Sequence, residues 1–233
     1  MDDVHGATPG FAGGLSNPIA PNHTDQSPYM TASELSALLL LATATSFTPG
    51  PNTTLSTALA ANRGLRGAMH FVLAVPVGWG LLFTLSAVGL GSLVMALPTL
   101  RWAIVLGGVG YMLWLARRLW GSGQLSPSDR SRMDVSFVQG VLLQFLNIKA
   151  WMLALSVVAG WIAGHANAVE RYFVTLPLML FFAFSSNLSY ALVGSVLRHW
   201  LAQGQRLLAF NRCMAVVLTA TAGWIVSSLK ATA

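Results

Sequence analysis

Charge is what this sequence has least of. Of 233 residues, 9% are charged and 55% are hydrophobic, with a mean hydropathy of +0.63; soluble domains carry about 25% charged residues. That scarcity excludes an ordinary soluble domain and points to an integral membrane protein. The net charge of +6 is therefore no nucleic-acid footprint, and no nucleic-acid partner is expected. Cysteine is nearly absent as well: Cys213 stands alone, which excludes an internal disulfide framework and a cysteine-based metal site. The acidic residues are Asp2, Asp3, Asp25, Glu34, Asp129, Asp134 and Glu170, none deep in an apolar run. Without a buried carboxylate there is no seat for Na⁺, a divalent metal or a cationic side chain. Without a nucleophile–base pair or paired histidines in a span, an intramembrane enzyme is disfavoured. No catalytic residue, metal or cofactor is expected.

The first 29 residues differ from the rest. They carry Pro9, Pro18, Pro21 and Pro28 with several glycines and asparagines, and neither a basic segment nor an apolar run of the kind a signal peptide needs. Residues 1–30 read as a disordered polar extension, followed by a membrane domain over 31–233.

What is there is a series of apolar runs. A spanning helix needs about 20 apolar residues. The pattern predicts six spans, near Ser33–Ala61, Ala68–Leu93, Trp102–Trp120, Phe137–Ala163, Tyr172–Leu197 and Cys213–Leu229. The connections after the first, third and fifth hold Arg63, Arg66, Arg117, Arg118, Arg130, Arg132, Arg198, Arg206 and Arg212, while the other side holds Arg101, Arg171 and Lys230. Basic residues favour the cytoplasmic side, so both termini are expected outside. The expected fold is an all-α integral membrane protein. Its halves, 31–120 and 135–230, flank a cytoplasmic loop at 121–134. Three spans per half give the halves opposite topology, the inverted repeat of many secondary transporters.

The organising stretch is Ser46-Phe47-Thr48-Pro49-Gly50-Pro51-Asn52-Thr53-Thr54, inside a run without charge from Leu35 to Asn62. Two prolines and a glycine cannot continue a regular helix. In hydrocarbon such a break is tolerated only where protein covers it or a polar cavity adjoins it. A simple kinked helix is the alternative to a transport site. Lys149 is the one ionisable residue well inside a span, and such residues usually face a bundle interior or a wet cavity; snorkelling to the cytoplasmic end is its plainer alternative. Gly140, Gln144, Asn147 and Trp151 follow helical spacing and share one face, with two amides that would be costly toward lipid. Lys149 lies about 200° from Asn147 on a regular helix, so it points elsewhere unless that helix is broken. By count, Asn52, Asn147 and Lys149 lie at one depth, about 15–18 Å in. Asn187 is the best of the remaining polar residues. His70 reads as interfacial, and Gly107, Gly108 and Gly110 as close-packing positions. With no carboxylate to oppose them, Lys149 and the backbone N–H groups at a helix break favour an anionic or zwitterionic solute.

These residues carry a resemblance. Thr48-Pro49-Gly50-Pro51-Asn52, then Asn62-Arg63-Gly64-Leu65-Arg66-Gly67, then Asn147-Ile148-Lys149-Ala150 and Gly107-Gly108-Val109-Gly110-Tyr111-Met112 are similar to motifs of the LysE/RhtB family of bacterial amino-acid exporters. The match runs from near Met30 through essentially all of the remainder. The resemblance implies a six-helix secondary exporter of amino acids or their derivatives across the bacterial inner membrane, an antiporter driven by protons. It further implies that Pro49, Gly50, Pro51, Asn52, Asn147 and Lys149 matter to transport; the residues themselves add Gln144 and Asn187. Neutral substrates such as homoserine, threonine or leucine fit the missing carboxylate best. The alternatives are a non-transporting membrane subunit, against which Lys149 and the amide stripe argue, and an exporter of a different small solute. The expected partners are the amino acid, protons and the lipid bilayer, and a homo-oligomer is compatible with the pattern. One departure stands out: Ile148 occupies the place of a family proline. Its absence predicts an unbroken fourth span, leaving the first to supply most of the exposed backbone.

Overall fold

The computed structural model describes residues 30–122, 135–203 and 205–230. The expected N-terminal extension and nearly all of the 121–134 loop lie outside them. The described residues form helices and the turns between them.

α1 covers Ala32–Phe47. It starts on a capping box in which the Thr31 hydroxyl accepts from the Glu34 N–H at 3.2 Å, while the Glu34 carboxylate accepts from the Thr31 N–H at 2.8 Å. Together these satisfy two N–H groups that a helix start leaves without intrahelical partners. It ends where Pro49-Gly50-Pro51 begins. α2, Pro51–Ala87, opens on Gly50 as N-cap with Pro51 in the first helical position, where a missing N–H costs nothing. At Gly64 the backbone turns through φ 80°, ψ 168°, in the left-handed region that favours glycine. α2 is thus two helical segments meeting at the expected basic turn. α3, Leu90–Ala96, follows Gly89 at φ 94°, so the expected second span, Ala68–Leu93, instead ends at Ala87. α4 is Pro98–Trp120.

α5, Phe137–Phe145, and α6, Ile148–Trp161, are bent from one another by 64°. The unbroken fourth span expected from Ile148 is therefore wrong. α7 is Ala168–Leu201 and α8 is Arg206–Lys230. Both are longer than the expected fifth and sixth spans, so Arg198, Arg206 and Arg212 sit on helix ends rather than in a loop.

Four helices, α2, α4, α7 and α8, are long and apolar enough to cross a membrane; the bent pair α5–α6 makes a fifth candidate, and α1 with 16 residues is short on its own. α2 packs most extensively on α7, α4 on α8, and α5 and α6 on α2. Small residues permit this, since apolar burial does not drive helices together within lipid. A Cβ at Gly194 of α7 would strike the Thr57 carbonyl, and one at Gly78 would come within 2.6 Å of the Val141 carbonyl. Two apolar clusters result. One gathers Trp79, Leu82, Phe83, Ile148, Trp151 and Met179; the other gathers Leu55, Leu59, Phe71, Val72, Leu143 and Leu218. The helix breaks lie at their junction.

Candidate functional site

A cavity of about 80 Å³ sits at the breaks, lined by residues of α1, α2, α6 and α7 and of both interrupted segments. Gly50, Pro51, Asn52, Asn147, Lys149 and Asn187 of the expected site all line it. Pro49 and Gln144 do not. Gln144 is fully buried behind the wall, where it exchanges amide hydrogen bonds with Asn52: Asn52 Nδ2 donates to Gln144 Oε1 at 2.8 Å, and Gln144 Nε2 to Asn52 Oδ1 at 3.3 Å. The stripe of Gly140, Gln144, Asn147 and Trp151 does face inward: Gly140 packs on Ala74 and Phe71, and Trp151 is 5% exposed.

The second break changes the position of Lys149. On a regular helix Lys149 would have turned away from Asn147. Because the chain bends before α6, both residues line the same cavity. Lys149 Nζ lies 3.5 Å from the Thr45 carbonyl in the last turn of α1. A helix C-terminus carries partial negative charge, so it favours a cation there.

The other groups freed by the breaks are covered by side chains. Tyr190 Oη donates to the Phe47 carbonyl at 2.9 Å, and Trp151 Nε1 to the Phe145 carbonyl at 2.9 Å. The Gly50 N–H donates to Thr53 Oγ1 at 2.9 Å. Each bond satisfies backbone that the hydrocarbon could not. Asn187 accepts from Ser56 Oγ at 2.9 Å and donates to the Ala183 carbonyl at 2.8 Å. Asn147 is different. It is the N-cap of α6 yet makes no side-chain capping bond, and its Oδ1 is buried without a hydrogen-bond partner. An N-cap asparagine ordinarily spends that oxygen on a backbone N–H of the first turn. Here that oxygen stays without a partner, while the Ala150 N–H in the first turn of α6 donates to the Asn147 carbonyl at 2.9 Å.

The rest of the lining includes the apolar residues Val75, Trp79, Leu153, Met179 and Ala183. Trp79 and Met179 drew no attention in the sequence. An aromatic or methionine in an apolar run gives no signal of a cavity, and the glycines on either side of Trp79 were the one available hint. Of the glycines in the third span, Gly108 is required, since a Cβ there would collide with the Leu146 carbonyl; Gly107 is tight at 3.1 Å from Leu146 Cδ2, and Gly110 meets nothing within 4 Å. The expected packing role of Gly110 fails. His70 is exposed. No lining residue is a carboxylate, and no cluster of metal-ligating side chains exists among the described residues.

A model of the family described as LysE type translocator matches residues 43–228, a stretch that contains both breaks and every lining residue. The chain belongs to that family. Among its relatives is a cysteine/O-acetylserine efflux protein of Klebsiella pneumoniae, 28% identical over 76% of this chain and 91% of that protein. Proteins of the same description from Escherichia coli K12 and Shigella sonnei are each 24% identical over 81% of this chain and 95% of theirs. No solved structure matches. This LysE type translocator is a multi-pass protein of the inner membrane that exports amino acids or related solutes, and not an enzyme.

Proposed function

We infer that this translocator exports small neutral amino acids or their O-acyl derivatives, and that the cavity at the two helix breaks binds them. The observation that carries this is the charge pattern of the cavity. Lys149 and the N-termini of α2 and α6 adjoin it, no acidic side chain lines it, and Asn147 Oδ1 lies buried without a partner. Helix N-termini attract a carboxylate, Lys149 adds a full positive charge, and Asn147 Oδ1 is an acceptor for the α-ammonium. A zwitterion satisfies all of these together. A basic side chain would lack its counter-charge.

Size supports a compact substrate. The cavity of about 80 Å³ lies far below the about 300–1,000 Å³ of pockets for drug-sized ligands. Of the solutes named for the relatives, cysteine is smaller than leucine, whereas O-acetylserine is about the size of leucine. The apolar side, Trp79 and Met179, receives the substrate side chain.

Six crossings follow if α1 with α2 as far as Gly64 forms the first and the remainder of α2 the second, and the excess of arginine at the Gly64 end then puts both termini outside. In each half the first crossing is broken and the second half-helix starts at the cavity, as an inverted repeat requires. Protons drive the cycle in this reading, and Lys149 holds the substrate carboxylate as its protonated ammonium. A resistance screen tests the substrate class: cells overproducing the protein should newly resist cysteine, O-acetylserine or a small neutral analogue and secrete it. Resistance confined to basic amino acids would overturn the assignment.

A further inference from the structure

We propose that the groove between α4 and α8 is a binding site for an anionic phospholipid, with its phosphate held by Arg117 and Arg212. The groove measures about 510 Å³, is open to the outside of the bundle, and is lined by Leu113, Ala116, Arg117, Trp120 of α4 and Ala215, Val216, Thr219, Ala220 of α8. Both sets follow helical spacing, so each is one continuous face. Ala116 and Ala215 are buried and form the floor, whereas Leu113, Trp120 and Val216 are exposed at the rim. A trough with a floor of alanines and walls of leucine, valine and tryptophan has the shape of an acyl chain.

The polar end decides which lipid. Arg212 lies one turn before Val216 on the same face of α8, with its guanidinium 5.4 Å from the centre of the Trp120 ring. Arg117, about one turn from Trp120 on α4, lines the groove as well. Beside them the Arg118 guanidinium stands 4.1 Å over Trp114. Tryptophan and arginine together mark the headgroup level of a membrane protein. The groove runs from there toward the bilayer centre for about 10 Å, the rise from Leu113 to Trp120. Counter-charges are distant: among the described residues the acidic side chains are Glu34 and Glu170, in the first turns of α1 and α7. α8 begins only after the far end of α7, so the length of α7 separates Glu170 from Arg212. Asp129 and Asp134 fall outside the described residues. Basic pockets between spanning helices on the cytoplasmic side recognise anionic headgroups in this way.

The test uses the full chain, purified in detergent and analysed by native mass spectrometry after equilibration with phosphatidylglycerol or phosphatidylcholine. The expected result is preferential retention of phosphatidylglycerol by the wild type. Retention should fall about thirtyfold when Arg117→Gln and Arg212→Gln are combined, which corresponds to about 1 kcal/mol for each guanidinium. Arg117→Lys with Arg212→Lys should recover most of it, and Ala220→Trp, which fills the groove while leaving both arginines, should also abolish it. Added inorganic phosphate should not displace the lipid, because the acyl contact is missing. Equal retention of the two lipids, or retention untouched by both the glutamine pair and Ala220→Trp, would overturn the proposal. A dimer that covers the groove and excludes lipid would do the same.

Discussion

Asn52 and Gln144 join the two broken helices, and substituting them separately should have unequal effects. Gln144 is fully buried, whereas Asn52 borders the cavity. Asn52→Leu strands Gln144 Oε1 in the dry interior, although Gln144 Nε2 keeps its bond to the Gly140 carbonyl at 3.1 Å. Gln144→Met strands the Asn52 amide instead, but that amide can turn to cavity water. A buried group left without its partner costs about 1–3 kcal/mol. Asn52→Leu should therefore sit in the upper half of that range and Gln144→Met near its foot. In the double variant neither amide is left alone. Hydrogen bonds between membrane helices couple by about 0.6 kcal/mol on average and up to about 1.7; with reciprocal bonds at 2.8 and 3.3 Å, this pair belongs in the upper part of the range. Unfolding in mixed micelles gives all four free energies. If the two single effects add to within about 0.3 kcal/mol, or if Gln144→Met costs more than Asn52→Leu, the arrangement of the breaks is misassigned. Export should stay low in the double variant even where stability returns, because the Asn52 amide is gone from the cavity wall.

Other substitutions separate packing from polar function. Gly194→Ala must push against the Thr57 carbonyl and should destabilise by about 1–3 kcal/mol, whereas Gly110→Ala, with nothing within 4 Å, should gain up to about 1 kcal/mol from helix propensity; thermal unfolding of both in detergent checks this. Trp151→Phe removes the donor to the Phe145 carbonyl at 2.9 Å while keeping most of the ring packing. It should lower stability by about 1 kcal/mol and speed hydrogen exchange of the residues flanking Leu146. Arg171 bonds Glu34 at 3.0 Å and the Trp161 carbonyl at 3.3 Å, tying α1, α6 and α7 together away from the cavity. Arg171→Gln should raise the labelling of a cysteine placed in α1 more than Glu34→Gln does, since Arg171 is the more buried partner.

The first break was legible because proline and glycine write their effect into local sequence. The second was not. Ile148 and Leu146 are ordinary helix residues, and what accompanies the bend at Asn147 is tertiary: the Leu146 carbonyl lies on the bare backbone of Gly108, and Trp151 caps Phe145. A motif proline is one way to break a helix, and packing with a capping indole is another. The same limit explains Gln144, whose inward face followed from helical spacing, while its partner Asn52 lies 92 residues away. Lys149 was singled out by its cost in lipid, yet its place in the cavity depended on the unpredicted bend. Nothing local to Tyr190 announces its role, which the fold supplies by setting its hydroxyl on the Phe47 carbonyl at the end of α1.

Transport through the cavity at the breaks depends most directly on Lys149 facing the substrate. Uptake of labelled O-acetylserine into inverted membrane vesicles, compared between wild type and Lys149→Met at equal protein level, measures this. Losing a hydrogen bond to a charged partner costs about 1.5–3 kcal/mol, so the variant should need about tenfold to hundredfold more substrate for the same rate, or show no transport. Wild-type uptake by Lys149→Met at low substrate would contradict the site.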